Sequence, residues 1–411
     1  MRVVEPHAFK SVKHPKKRGK SALVPFVIVI VLAIYVAAMM GRALPLAKAT
    51  PQPTLPTKSQ SVSVNWPSYG QAAIGAVGYG VLGKKGEQKA LPTASVAKVM
   101  TALAVLKQRP LKVGEKGPTI TITQDDVDEY YRTIAMDGSN VPVQLGEEIT
   151  QYEALQALLL PSANNMAYTL VKWAYGSEEN YLRFVNNFAK SLGMENTNFD
   201  DASGYSPKTV STSSDLVKLA VNAMDNPVIA EIASQQEATI PVAGRIYNVN
   251  MLLGRNGIVG VKTGNTEEAG GCFMAAAVRE VGGKKIIAVS VIMGAPNLGA
   301  ALRDSVPLVN SVLNGFSEVT IAKAGQQVGT YEQAWADSIP LTVESDLKGI
   351  IWQDSSASTE LTLDDPKAFA KAGSRVGTIK ANTGRDTAQS AVVISKDASE
   401  PTVLWRLMPR F

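Results

Sequence analysis

Three short groups of residues in this chain carry the side chains that acyl transfer requires. They are Ser95-Val96-Ala97-Lys98, Ser162-Ala163-Asn164 and Lys262-Thr263-Gly264, and their first residues are 67 and 100 positions apart. Each group alone is a weak signal, because Ser345-x-x-Lys348 repeats the first pattern and Ser63-x-Asn65 repeats the second. Those repeats do not follow the order of the three groups along the chain. The catalytic site is therefore predicted by the three groups together, in that order.

The first group makes chemical sense if Ser95 and Lys98 share one face of a helix. Thr93-Ala94 opens a helical pattern, and residues three apart stand on neighbouring turns. A serine hydroxyl is a poor nucleophile until a base takes its proton, and an amine whose pKa is lowered by burial and a nearby cation can be that base. Lys262 is the candidate for that cation. An isolated Ser-x-x-Lys would instead favour a surface pair on an amphipathic helix.

Histidine is absent from most of the chain. The two histidines, His7 and His14, both precede residue 22, which excludes a Ser-His-Asp triad and a histidine-ligated zinc site in the body. We therefore expect no metal and no cofactor.

The single cysteine, Cys272, cannot form an internal disulfide and is expected to be a buried, inert thiol. The acidic run 125–129 is interpreted as a solvated helix start.

The N-terminal region combines a basic tail with an apolar run. Residues 1–21 hold seven Lys/Arg against one acid, and no charge occurs from Ala22 to Met40. This length predicts a transmembrane helix over 22–41, with the tail in the cytoplasm and the remaining chain outside the cell membrane. Cleavage as a signal peptide remains the alternative, because Ala47-Lys48-Ala49 has the pattern of a cleavage site. The remaining chain has 34 basic and 35 acidic residues, so we expect no nucleic-acid binding.

Composition divides the rest into three parts. Residues 42–65 are predicted to be a Pro-rich linker, residues 66–316 one α/β or α+β domain, and residues 317–411 a small all-β domain. In the central domain, Thr150-x-x-Glu153 predicts a capped helix that stops at Pro161. Runs around 258–261, 273–278 and 286–293 predict three consecutive strands. In the last part, the pattern of residues 322–330 returns at 370–378, which predicts two similar hairpins.

Beyond the three groups, longer segments resemble the signatures of one family, the D-alanyl-D-alanine carboxypeptidases among the low-molecular-mass penicillin-binding proteins. The segments span residues 91–98, 146–164, 192–199, 250–253 and 260–270, and the resemblance covers roughly residues 66–316. It implies a β-lactamase/transpeptidase-like α/β (α+β) domain with an antiparallel sheet flanked by helices. It also implies that the trailing β domain is the C-terminal sandwich domain that such enzymes often carry.

The resemblance implies roles at matching positions. Ser95 would attack the carbonyl between the last two D-alanines, Lys98 would act as general base, and Ser162 would relay a proton to the leaving amine. The backbone N–H groups of Ser95 and Asn265 would form the oxyanion hole. The residues expected to bind the substrate are Asn164, Lys262, Thr263, Gly264 and Asn265. The implied partners are peptidoglycan stem peptides, β-lactam antibiotics as inhibitors, and the membrane through the N-terminal helix.

Two departures and three alternatives accompany this interpretation. Asn165 stands where many relatives have Asp, and Arg303 is only the nearest candidate for a carboxylate-binding arginine. A β-lactamase would need a deacylating base, for which Glu179 or Glu195 remains open. A D,D-endopeptidase would use the same site with a different leaving amine, and a non-catalytic cell-wall-binding scaffold is the alternative from another class.

Overall fold

The computed structural model describes residues 23–51, 62–353, 355, 357–364, 369–384 and 386–408. The predicted basic tail and residues 52–61 of the predicted linker lie outside these ranges. Within them, the α-helices are α1 (Leu23–Met40), α2 (Lys98–Gln108), α3 (Gln124–Ala135), α4 (Gln151–Leu159), α5 (Asn164–Tyr175), α6 (Glu178–Ser191), α7 (Ser213–Asp225), α8 (Pro227–Ala233), α9 (Leu298–Asn314) and α10 (Val403–Leu407).

The strands of the same residues fall into a central and a C-terminal group. β1 (Lys48–Pro51) comes first in the chain but pairs with the C-terminal group. The strands of the central part are β2 (Gln71–Ala76), β3 (Gly80–Lys85), β4 (Leu91–Pro92), β5 (Thr119–Thr121), β6 (Glu148–Thr150), β7 (Val210–Ser211), β8 (Glu237–Ile240), β9 (Gly244–Tyr247), β10 (Ile258–Thr266), β11 (Gly270–Val281) and β12 (Lys284–Ala295). Those of the C-terminal part are β13 (Phe316–Ala322), β14 (Gln327–Gln333), β15 (Ala336–Val343), β16 (Leu347–Trp352), β17 (Ser358–Leu363), β18 (Arg375–Asn382) and β19 (Thr387–Ile394).

A five-stranded antiparallel sheet, in the order β10-β11-β12-β2-β3, forms the centre of the molecule. Both faces of its middle strands are covered, so most residues of β2, β11 and β12 are apolar and buried. In β12, Ala288 and Ile292 pack in the core beneath α9, whereas Val289 and Val291 pack in the core that contains α2, α5 and α7. This alternation follows from the two-residue period of a strand. The three strands predicted from residues 258–293 are confirmed as neighbours.

Several helices of the central part begin with side-chain caps, among them α4, α6 and α7. Thr150 and Glu153 form the predicted capping box at the start of α4, which ends two residues before Pro161. The acidic run also starts a helix, α3, but the expectation that it is solvated is wrong for Asp126. That carboxylate is 7% exposed and accepts hydrogen bonds from Thr123 and Thr169, so it ties α3 to α5.

The apolar run near the N-terminus forms α1, an 18-residue helix whose described side chains are not buried by the rest of the chain. By length and composition it could cross a membrane. Part of the predicted linker is structured, because β1 pairs with β14 of the C-terminal sheet. Ala47, just before β1, is buried in the core of the C-terminal part.

The C-terminal part contains a six-stranded antiparallel sheet, β1-β14-β15-β19-β18-β17, and a two-stranded ladder, β13-β16. The repeated sequence pattern marks two hairpins, β14-β15 and β18-β19. Gly325 and Gly373 occupy equivalent turns with φ of 79° and 76°, and each donates its N–H across to the second strand of its hairpin, at Val343 and Ile394. Only glycine adopts this conformation without strain, which explains why the repeat retains it.

Candidate active site

Ser95 lies on a short 3₁₀ turn, Ala94–Ala97, that leads directly into α2. The turn is held at its entrance because β4 pairs with β7 and Thr93 donates its N–H to the Thr209 carbonyl. Lys98 is the first residue of α2, one turn after the serine. Its Nζ is 2.8 Å from Ser95 Oγ, so the pairing expected from their spacing is present in the structure.

The environment of Lys98 disfavours a charged amine. The side chain has no solvent exposure, and its Nζ also donates to the Ser203 carbonyl at 2.9 Å. Burial is the main cause that holds the pKa of Lys98 well below its ordinary value, and the charge of Lys262 lowers it further. Asp201 acts in the opposite direction and raises the pKa. A neutral amine beside a serine hydroxyl can accept the proton of that hydroxyl.

The second motif lies between α4 and α5. Ser162 has a φ of 68° and is 4% exposed, and its Oγ has no hydrogen-bond partner among the residues that the structure describes. Asn164 begins α5 and donates its N–H to the Ser139 carbonyl at 2.7 Å. A buried hydroxyl without a partner costs free energy unless a ligand uses it, so Ser162 is free to bond a substrate or a water molecule.

Asn165, the departure noted in the sequence, is fully buried and pairs with the backbone of Val141. Its Oδ1 accepts from the Val141 N–H at 3.1 Å and its Nδ2 donates to the Val141 carbonyl at 2.9 Å. An amide suits this position because it offers one acceptor and one donor to a peptide group. The side chain thereby fixes the loop that contains Ser139 at the edge of the cleft.

The third motif lies on the edge strand β10. Lys262 and Thr263 are 1% and 5% exposed, and burial lowers the pKa of Lys262 to about 7. Gly264 lies against the nucleophile turn, since a Cβ atom at this position would be 3.2 Å from the Ser95 nitrogen and 3.0 Å from the Thr93 oxygen. The strand edge and the Ser95 N–H therefore adjoin, as an oxyanion hole requires.

These segments meet at a cleft of about 450 Å³. Three of the residues predicted from the sequence line it directly, namely Ser95, Asn164 and Asn265. Lys98, Ser162, Lys262, Thr263 and Gly264 are buried rather than part of the cleft wall. Of these five, Lys98 contacts Ser95 through its side chain and Gly264 adjoins the Ser95 backbone.

Sequence reasoning missed two loops that complete the cleft. One contributes Met136 to Ser139, and the other contributes Gly204, Tyr205 and Pro207. The hydroxyl of Tyr205 donates to the Met136 carbonyl at 3.0 Å, so the loops contact each other. The signal in the sequence that could have indicated the second loop was Gly204 in Asp201-Ala202-Ser203-Gly204. In the structure this glycine has a φ of 78°, which is typical of a turn.

Arginine and glutamate candidates from the sequence do not line this cleft. Arg303 is an exposed residue that pairs with its neighbour Asp304. Glu179 is exposed near Arg183 on α6, and Glu195 is also exposed. None of the three is therefore placed to act on a group attached to Ser95.

The fold is shared with solved penicillin-binding proteins. The crystal structure of penicillin-binding protein 5 from Haemophilus influenzae matches with a TM-score of 0.57 over 84% of this chain and 100% of that one, at 20% identity, which shows the fold alone. A family model described as D-alanyl-D-alanine carboxypeptidase matches residues 74–297, more than half of the chain. The chain thus belongs to the D-alanyl-D-alanine carboxypeptidase family of serine peptidases, as its motifs predicted.

Relatives within the family carry two kinds of name. The chain is 33% identical over 208 residues to a D-alanyl-D-alanine endopeptidase of Escherichia coli, covering 49% of this chain and 63% of that protein. It is 31% identical over 235 residues to a D-alanyl-D-alanine carboxypeptidase of Streptomyces sp. strain K15, covering 53% of this chain and 77% of that protein.

Proposed function

We propose that this protein removes the terminal D-alanine from peptidoglycan stem pentapeptides through an acyl-enzyme on Ser95. The observation that carries the proposal is the 2.8 Å contact between Ser95 Oγ and the fully buried Nζ of Lys98. The low pKa of that amine supplies a base where no imidazole is available among the described residues.

We propose the following steps for acylation. Lys98 takes the proton of the Ser95 hydroxyl while Oγ bonds to the carbonyl carbon between the two D-alanines. The N–H groups of Ser95 and Asn265 stabilise the oxyanion, a contribution of about 3–4 kcal/mol per donor in hydrolases. The C–N bond then breaks, and Ser162 relays the proton from Lys98 to the leaving amine. Water later attacks the ester, which releases the shortened peptide and restores Ser95.

Substrate recognition is assigned to the rest of the site. Asn164 orients the amide of the stem peptide at the cleft wall. Lys262 and Thr263 bind the terminal carboxylate, and Gly264 leaves room for β10 to approach the nucleophile turn. Because the pKa of Lys262 is about 7, an arriving carboxylate favours its charged form. β-Lactams present the same carboxylate and a reactive amide, so they are expected to acylate Ser95.

A D,D-endopeptidase is the second candidate, because a relative with 33% identity is named an endopeptidase. The chemistry is the same, and only the amine that leaves is different. Incubation with a stem pentapeptide and with a crosslinked muropeptide dimer, each followed by mass spectrometry, distinguishes the two activities. If the dimer is cleaved faster than the pentapeptide, the protein is a D,D-endopeptidase and the carboxypeptidase assignment is rejected.

The nucleophile has a matched control in the same chain. Ser345 repeats the Ser-x-x-Lys pattern but lies in the C-terminal part, where its Oγ contacts Ser390 Oγ at 3.0 Å. We expect Ser95→Ala to abolish covalent labelling by a fluorescent penicillin and Ser345→Ala to retain it. Labelling of Ser95→Ala would reject the proposal, and full activity in that variant would reject a serine mechanism.

Rapid penicillin turnover without a stable adduct would favour a β-lactamase. No labelling and no peptide cleavage by the wild type would favour the non-catalytic scaffold.

We also propose that α1 is a retained single-pass membrane anchor with the catalytic part outside the cytoplasm. The apolar helix has the required length, and basic residues precede it in the sequence. Retention is supported by β1, because cleavage after Ala49 would divide a paired strand. The predicted cleavage site is tested by N-terminal sequencing of the mature protein, where a start after Ala49 would exclude an anchor.

A further inference from the structure

The catalytic amine has a second contact that the proposed mechanism leaves without a role. Lys98 Nζ donates to the Ser203 carbonyl at 2.9 Å, across 105 residues of sequence. Ser203 belongs to the segment 201–209, which we call the Asp201 loop. The next residue, Gly204, lies so close to the nucleophile turn that a Cβ atom there would be 1.9 Å from the Ala94 oxygen. The loop therefore adjoins both the base and the turn that carries the nucleophile.

Asp201 organises this loop from within. Its carboxylate is 6% exposed, and one oxygen accepts from the Ser203 N–H at 3.1 Å, the Ser203 hydroxyl at 2.7 Å and the Tyr205 N–H at 2.9 Å. The other oxygen accepts from the Thr209 hydroxyl at 2.5 Å. Hydrogen bonds to an ionised carboxylate are stronger than neutral ones. They fix the peptide groups on both sides of the Ser203 carbonyl.

The same carboxylate acts on Lys98 through its charge. It raises the pKa of the amine, against burial and the charge of Lys262, which lower it. The charge of Asp201 also acts on Tyr168 of α5 and on Glu178 and Tyr181 of α6, and Glu129 and Arg132 of α3 act in turn on Tyr168 and Glu178. Glu178 also accepts from the Ala202 N–H at 3.3 Å, so it ties α6 to the loop.

We propose that Asp201 is a positioning residue for acylation, which holds the Ser203 carbonyl where it orients the Lys98 amine toward Ser95. A neutral amine has two N–H donors and one lone pair. When one N–H is donated to a fixed carbonyl, the lone pair is available to the Ser95 hydroxyl. After proton transfer, the ammonium keeps the Ser203 carbonyl as its acceptor. This inference rests on the proposed acylation of Ser95 and names a further residue of that site.

The test compares three variants by the rate of Ser95 acylation with a fluorescent penicillin over a range of pH. Asp201→Asn keeps the shape but removes the charge, so the pKa of Lys98 falls and the acid limb of the profile moves to lower pH. Its maximal rate is also expected to fall by about 10- to 100-fold, since small displacements of catalytic groups have effects of this size. Asp201→Glu keeps the charge but moves the carboxylate. We therefore expect its maximal rate to fall while its acid limb stays near that of the wild type.

Asp200→Asn is the matched control. Asp200 is the exposed neighbour, its carboxylate accepts from the Ser206 hydroxyl at 2.6 Å, and its charge is not among those that act on Lys98. We expect this variant to keep the wild-type profile. An unchanged rate and acid limb in Asp201→Asn would overturn the proposal, as would a loss of thermal stability with an unmoved acid limb. Absence of labelling in the wild type would instead reject the proposed function itself.

Discussion

Substitution of Gly204 by alanine isolates the contact between the Asp201 loop and the nucleophile turn. The added Cβ would lie 1.9 Å from the Ala94 oxygen, whereas real Cβ atoms stay beyond 3.0 Å. One of the two backbones must therefore move by about 1 Å. A misplacement of this size near reacting groups can lower a rate by about 100-fold, which corresponds to about 2.7 kcal/mol of activation free energy.

Gly176 provides the matched control for backbone strain. Its φ of 79° nearly equals the 78° of Gly204, but a Cβ atom at Gly176 would meet nothing within 4 Å. Both alanine variants should lose about 1–2 kcal/mol of stability from the left-handed conformation. Only Gly204→Ala should also lose acylation. The comparison separates the strain that both share from the steric effect on Ser95.

The assay measures the rate of covalent labelling by a fluorescent penicillin in parallel with the thermal unfolding midpoint. We expect Gly176→Ala to acylate at the wild-type rate and Gly204→Ala to acylate about 100-fold more slowly. Equal rates in the two variants would refute the argument that the loop sets the position of the nucleophile turn. A wild-type rate in Gly204→Ala would refute it even more directly.

Three further predictions concern the buried polar groups. Burial lowers the pKa of Lys262 to about 7 from 10.5, so the unfolded chain binds the extra proton between these values and stability rises with pH there. The thermal unfolding midpoint should therefore rise less with pH within that window in Lys262→Met than in the wild type. Asn165→Asp sets a carboxylate oxygen against the Val141 carbonyl, and urea unfolding should show a loss of about 1–3 kcal/mol. Ser162→Ala should slow acylation by about 100-fold or more in labelling time courses while stability is retained, because its Oγ has no partner to lose among the described residues.

The sequence was sufficient for the features that depend on local order. Ser95 and Lys98 meet because they are one turn apart, and the capping box of Thr150 and Glu153 starts α4 as predicted. The three consecutive strands follow from their length and apolar content. In each case, the interacting residues are near in sequence or their pattern has a fixed period.

The rest depends on contacts between distant segments. The Ser203 carbonyl reaches Lys98 across 105 residues, and no periodicity of the sequence predicts which loop does so. Asp126 is a second example. Its acidic neighbours in the sequence indicate a solvated helix start, but Thr169, 43 residues later, donates a hydrogen bond to it in the interior. A charged residue that is buried by a distant partner looks like a surface residue until the fold is known.

The site's chemistry and the stability of the fold make opposite demands on the two buried lysines. A serine hydroxyl needs an amine that can accept its proton, and burial together with the charge of Lys262 lowers the pKa of Lys98. Burial of two amines weakens the fold wherever the unfolded chain would hold them protonated. The apolar residues of α2 offset this loss, since every residue from Lys98 to Leu106 is buried. The base therefore depends on the packing around it, and a cavity that admits water to Lys98 would raise the pKa of this amine as well as lower stability.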